Sequence, residues 1–183
     1  MNGRRAGSAF ERECVELLKR WWDPHEEGEW ARTPLSGGWS SPRHRAAFRT
    51  AGDVVTTCAT FPFSVECKRR RAIHLEAVVA GTSGEFRKAW EQADAGAAES
   101  GLEPLLLFRR PRLPVLAAVY AGTVPLNPGD WLRVRVAYRG PVTRMRVTDD
   151  LAVAPAEALL ALEPKEVVTY FRLADNRGSS RRS

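Results

Sequence analysis

Two carboxylates and one ammonium, those of Asp53, Glu66 and Lys68, stand on two short segments that a chain reversal can bring together: Gly52-Asp53-Val54-Val55 and Phe63-Ser64-Val65-Glu66-Cys67-Lys68. Strand side chains alternate between faces, so Glu66 and Lys68 share one face while Val65 and Cys67 point to the other, where a core can take them. Polar chemistry and packing are thereby separated on one strand. Thr56-Thr57-Cys58-Ala59-Thr60-Phe61-Pro62 has the length for a strand that leaves Asp53, turns near Pro62 and returns to Glu66. Asp53 then lies beside Glu66.

Two carboxylates at one spot suit Mg²⁺, a hard cation that keeps several waters when few protein oxygens bind it. Such an ion lowers the pKa of a bound water and stabilises charge on a phosphate under attack. Lys68, a compact cation with three donors, is placed to orient that water or to neutralise the phosphorus centre. The pattern also fits a solvated strand face carrying Glu and Lys at alternate positions, so the neighbouring elements decide between the two readings.

Upstream, Phe10, Cys14, Val15, Leu17, Leu18, Trp21 and Trp22 recur at helical spacing. Ser8 followed three residues later by Glu11 reads as a capping box, which gives Glu11 a structural task at the helix start. Glu11 also flanks the apolar stripe, at the rim where the helix meets the sheet. From there a third carboxylate reaches the metal.

Four elements in this order, Gly7-Ser8-Ala9-Phe10-Glu11-Arg12-Glu13, Arg32-Thr33-Pro34-Leu35-Ser36-Gly37-Gly38, the strand opening at Gly52-Asp53, and Val65-Glu66-Cys67-Lys68, resemble the archaeal-type Holliday junction resolvases of the PD-(D/E)xK nuclease superfamily. The resemblance covers roughly the first 120 residues. It implies catalytic roles for Glu11, Ser36, Asp53, Glu66 and Lys68. It further implies a metal held by Glu11, Asp53, Glu66 and the backbone carbonyl of Cys67. The loop between Ser36 and Asp53 is longer than the family leads one to expect, and the chain continues past the end of the cellular enzymes. Both features suit a viral or otherwise divergent member.

The charge balance agrees with a polyanionic partner. Lys plus Arg number 28 against 22 Asp plus Glu, a net charge of +6, and the pI is near 9.7. All but four of the cations (Lys19, Lys68, Lys88, Lys165) are arginine, so clusters carry more information than single residues. Arg43, Arg45 and Arg49 precede the motif with His44, Arg69, Arg70 and Arg71 follow it, and Arg109, Arg110 and Arg112 come between the next two strands. With Arg32, the first two groups are the expected DNA contacts, lining a phosphate channel beside the active strand.

A length of 183 residues suits one domain with a sizeable core. No apolar run approaches a membrane span, and Arg4 and Arg5 are followed by no apolar stretch, so neither a membrane segment nor a secretory signal is expected. Cys14, Cys58 and Cys67 have no pairing or zinc spacing and read as reduced packing residues of a cytoplasmic protein, in the host cytoplasm if the source is viral. His25, His44 and His74 form no ligand set and read as loop residues.

Residues 73–80 are ambiguous. From Gly84 to Ser100 the pattern predicts a helix with Phe86, Ala89, Trp90, Ala93 and Ala97 as its buried stripe, Gln92 on its surface and Gly101 as its stop. Leu105–Phe108 and Val115–Tyr120 read as strands. Trp131–Tyr138 and Val142–Val147 read as a hairpin turning at Gly140-Pro141, whose Arg133 and Arg135 form a basic face behind the apolar face of Leu132, Val134 and Val136. A short helix near residues 156–162 and an apolar stretch at 167–171 follow.

The expected fold is α/β, a mixed central β-sheet flanked by helices in the manner of a restriction-endonuclease-like core, with a C-terminal β-hairpin and helix extension. Residues 1–122 form the core, 123–173 the extension and 174–183 a disordered basic tail. The unpatterned segment 34–52, with Ser36, Trp39 and its arginines, reads as an arm that orders on DNA, the Trp offering a stacking face.

The function expected is a homodimeric, Mg²⁺-dependent endonuclease that resolves four-way DNA junctions, with Mn²⁺ able to substitute for Mg²⁺. A C₂ dimer supplies the two cuts that resolution needs. The alternatives are a PD-(D/E)xK enzyme acting on linear or damaged duplex, and a basic DNA-binding protein whose carboxylates are merely structural.

Overall fold

The computed structural model describes residues 3–33, 52–125, 127, 129–141 and 145–175. A seven-stranded mixed sheet forms its centre. In chain order the elements are α1 (Gly3–Trp22), β1 (Trp30–Arg32), β2 (Val54–Thr56), β3 (Phe63–Arg69), α2 (Leu75–Val79), α3 (Gly84–Ser100), β4 (Glu103–Arg109), β5 (Leu116–Tyr120), β6 (Leu132–Arg139), β7 (Arg146–Pro155), α4 (Ala156–Leu160) and α5 (Pro164–Asp175). The strand order is β1-β2-β3-β4-β5-β7-β6. Only β3 and β4 run parallel among these pairs, in register from Phe63 against Glu103 to Arg69 against Arg109, and α2 and α3 make the crossover between them.

Each face of the sheet carries its own core. On one side the α1 stripe of Phe10, Cys14, Val15, Leu18, Trp21 and Trp22 packs on Val65, Cys67, Leu105 and Leu107, together with Ala156 and Leu159 of α4 and Val167 of α5. On the other side Val78 of α2 and Phe86, Ala89, Trp90 and Ala93 of α3 pack on Leu106, Phe108, Val134, Val136 and Leu151. Val65 and Cys67 therefore point to the α1 side. Glu66 and Lys68, registered against Leu106 and Phe108, point to the α3 side.

The periodicity located α3 to the residue. Ser83 caps its start, accepting from the Phe86 N–H at 3.3 Å, and Gly101 ends it in the left-handed conformation with φ of 67°. Gln92 lies exposed on its surface. The hairpin also forms, with Arg139 registered against Arg146, though its second strand runs on to Pro155 and pairs with β5. The three cysteines are free and buried.

One expectation is corrected, and two segments left open gain a definite structure. Helix α1 begins at Gly3, so Ser8 stands inside it and is no N-cap, and the capping box with Glu11 does not form; residues 3–7 continue the helix upstream. The apolar stretch 167–171 is one flank of helix α5. That helix continues to Asp175; residues 176–183, the rest of the expected tail, lie outside the described residues. The ambiguous residues 73–80 hold the short helix α2, with Ile73 and Val78 buried.

Candidate active site

Asp53 is placed by the residue before it. Gly52 has φ of +76°, and a Cβ there would lie 2.1 Å from the Val65 carbonyl oxygen, so neither a side chain nor a proline ring fits. This close approach lets the Asp53 N–H donate to the Val65 carbonyl at 2.6 Å. From the opposite side, Thr33 at the end of β1 fastens the same peptide: its hydroxyl donates to the Gly52 carbonyl at 2.7 Å and its N–H to the Asp53 carbonyl at 2.9 Å. With its backbone held on both sides, Asp53 turns its carboxylate along the edge of β3, where Oδ2 accepts the Cys67 N–H at 2.8 Å.

The turn between β2 and β3 has its own anchor. Glu26 accepts the N–H groups of Ala59 at 2.7 Å and Thr60 at 2.9 Å, together with the Thr60 hydroxyl. Phe61 packs edge-on against Trp22 and Trp30, with ring centroids 5.1 and 5.0 Å away. Nothing in the local sequence connects Glu26 to a turn more than thirty residues on, so its role emerges only from the fold.

Glu66 is 4% exposed, in the middle of a strand covered on both faces. Burial, and after it the negative charge of Asp53, push its carboxyl from 4.5 to about 7, while the Lys68 ammonium, which donates to Glu66 Oε1, works in the opposite direction. Asp53, Glu66 and Lys68 thus converge, as their spacing implied.

The other expected site residues are placed differently. Glu11 accepts Arg32 Nη1 at 3.0 Å, an ion pair between α1 and β1. Among the described residues no group of three or more Asp, Glu, His or Cys side chains is gathered in a way that could hold a metal ion. Arg69 is half-buried and its Nε has no hydrogen-bond partner among the described residues, while Arg70 and Arg71 are exposed. Ser36, Trp39, Arg43, His44, Arg45 and Arg49 lie outside the described residues. Arg109 leaves the expected basic cluster: it grips Glu13 through two bonds of 2.7 and 2.6 Å and lies over the Phe10 ring, 4.8 Å from its centroid. The Cys67 thiol, on the α1 side, is pushed well up by its hydrogen bond to Cys14 and by burial, which keeps it a protonated packing group.

The family model described as "Phage putative PDDEXK endonuclease" matches residues 2–127. The chain belongs to this family. Gly52 directly precedes Asp53, and its φ of +76° excludes a proline at that position. Among solved structures the chain is similar to the Archaeoglobus fulgidus Hjc, described as a Holliday junction resolvase from an archaeal hyperthermophile. The identity is 17%, the alignment covers 88% of this chain and 99% of that one, and the TM-score is 0.36. No curated protein matches the chain.

The site of this PDDEXK endonuclease family member fits a divalent cation. Two hard oxygen donors meet, one of them buried so deeply beside the other that it binds a proton near neutrality, and a carboxylate pair in that state gains most from an oxygen-seeking cation. Asp53 and Glu66 are the residues that would hold it.

Proposed function

We propose that the protein is a Mg²⁺-dependent DNA endonuclease that cuts four-way junctions, two protomers acting together. The observation that carries the nuclease reading is the convergence of buried Glu66, Asp53 and Lys68 on one edge of β3. Junction selectivity rests on the ordered likeness of the four sequence elements to the resolvases.

A bound divalent cation supplies Lewis acidity and an activated water. The chain's own residues do the rest. Asp53, fixed through its backbone and by the Cys67 N–H, presents its carboxylate beside Glu66 without reorganisation. Glu66 gives up its proton near pH 7, so the site reaches its working charge within the physiological range. Lys68 keeps its ammonium against Glu66 in the ground state and has donors left for a phosphate oxygen or the attacking water. Glu11 is the third carboxylate assigned to the centre. Arg32, which now holds it, is an assigned DNA contact, and a phosphate that draws Arg32 away releases Glu11 toward the site. Arg69, Arg70 and Arg71 continue from the end of β3 as backbone contacts, and the arm with Ser36, Arg43, Arg45 and Arg49 supplies the remainder.

The test is cleavage of a labelled four-way junction and of the matched linear duplex, each with Mg²⁺ or with EDTA. Paired nicks in the junction with Mg²⁺ alone support the reading. Equal cutting of the linear duplex moves the assignment to a general endonuclease, and cutting in EDTA removes the metal.

A further inference from the structure

The family match ends at residue 127, and the hairpin of β6 and β7 lies wholly beyond it. Its inner face is core: Val134, Val136 and Tyr138 face α2 and α3. Its outer face is basic. Arg133, Arg135 and Arg139 of β6 alternate with those apolar residues, and Arg146 stands directly across from Arg139. All four are exposed, and Arg135 keeps a side-chain exposure of 75% although Asp150 accepts from its Nε at 3.1 Å. Asp150 is the one carboxylate that the β6–β7 register puts on this face, since Asp149 turns inward to Tyr138. A face with four guanidinium groups and one carboxylate is left strongly positive.

The face is also held rigid from behind. The Tyr138 hydroxyl lies 2.7 Å from Asp149 Oδ2 and 3.0 Å from Asp94 Oδ2 on α3, and Tyr120 donates to Asp94 Oδ1 at 2.7 Å. Burial foremost pushes both phenols up, so they stay protonated as donors. The Arg139 N–H adds a bond to Glu91 Oε1 at 3.2 Å. Asp94 gives no signal in the sequence because its spacing places it within the apolar stripe of α3.

We infer that this outer face is a second phosphate-binding surface, which holds a DNA arm away from the scissile bond. Alternate residues of a strand stand about 6.8 Å apart, close to two axial phosphate steps of one DNA strand, so Arg133 and Arg135 repeat on the scale of the backbone. From β3 to β6 the sheet crosses four strand spacings, roughly 19 Å. Arg133, Arg135 and Arg139 share the α1 side of the sheet, whereas Glu66 and Lys68 point to the α3 side. A single straight duplex seated at Glu66 does not pass over both places, whereas a branched substrate offers a second arm. The inference rests on reading the protein as a DNA endonuclease.

The experiment measures binding alone, on the full chain carrying Asp53→Asn and in EDTA, so it reports whether or not any DNA is cut. Kd for a labelled four-way junction is followed against salt for that protein, for a triple variant Arg133→Gln, Arg139→Gln and Arg146→Gln, and for a control that neutralises Arg20, Lys88 and Lys165 elsewhere on the surface. Unchanged melting temperatures establish that the exposed substitutions leave the fold intact. The hairpin variant is expected to weaken junction binding roughly tenfold and to flatten the salt slope by about 0.9 for each phosphate no longer neutralised. Asp150→Asn, which frees Arg135, is expected to tighten it. Equal effects from hairpin and control variants would reduce the face to net charge and overturn the inference, as would an unchanged slope. So would hairpin-dependent binding to phosphatidylserine vesicles with junction binding intact, which would assign the face to membranes. If the unmodified protein cuts a junction while the hairpin variant binds like its parent, only this inference fails; if nothing is cut but the slope flattens, only the nuclease reading does.

Discussion

Asp53→Asn is expected to stabilise the metal-free protein. Glu66 is 4% exposed, and burial together with the Asp53 charge raises its pKa from 4.5 to about 7. Ionising Glu66 within the fold therefore costs about 3 kcal/mol relative to the unfolded chain. The folded pKa exceeds the unfolded one, so the contribution is fully present below about pH 4.5 and is lost as pH rises to about 7. Neutralising Asp53 at constant size removes the second cause of the rise, leaves burial in place and keeps an oxygen for the Cys67 N–H. About a third of the cost, ~1 kcal/mol, should return at pH 8, a rise of about 3 °C in Tm for a chain of this size. At pH 5, where Glu66 is protonated in both proteins, the gain should nearly vanish. Thermal and urea unfolding in EDTA at the two pH values read this directly. A loss of stability at pH 8, or the same gain at both, would refute the reasoning that the two carboxylates repel one another.

Gly52→Ala should cost about 3 kcal/mol or more, because it combines φ of +76° with a Cβ set against the Val65 carbonyl oxygen, and cleavage should fall with it; urea titration checks the first and a nicking assay the second. Mn²⁺ should replace Mg²⁺ in cleavage while Ca²⁺ permits binding with little cutting, and calorimetric metal affinity should weaken below pH 7 with proton release on binding, as a Glu66 carboxyl raised to about 7 requires. In sedimentation the protein at micromolar concentration should behave as a dimer of 20.4 kDa chains; a monomer under all conditions, with DNA present or absent, counts against paired incision.

The helices α1 and α3 were legible because each has one buried face with a regular period, and β3 because strand alternation separates Val65/Cys67 from Glu66/Lys68. The convergence of Asp53, Glu66 and Lys68 was legible because their spacing is local. Less visible were interactions made at a distance. Glu26 on the Thr60 turn, Glu13 on Arg109 and Glu11 on Arg32 each pair residues that only the fold brings together. The capping box at Ser8 failed for a related reason: a local pattern was present, and a helix propagating from Gly3 overrode it. Asp94 was hidden because a buried carboxylate inside an apolar stripe makes sense only once Tyr120 and Tyr138 from two other strands reach it.

The central claim is that Glu66, with Asp53 and Lys68, forms a metal-dependent nuclease centre, and Glu66→Gln tests it most directly. The exchange keeps the size of the side chain and removes the charge that a cation needs. Single-turnover cleavage of a labelled four-way junction at saturating Mg²⁺ should fall by roughly a thousandfold or more, with junction affinity retained. A variant that cuts as fast as the unmodified protein would contradict the account and leave the buried carboxylate a structural residue.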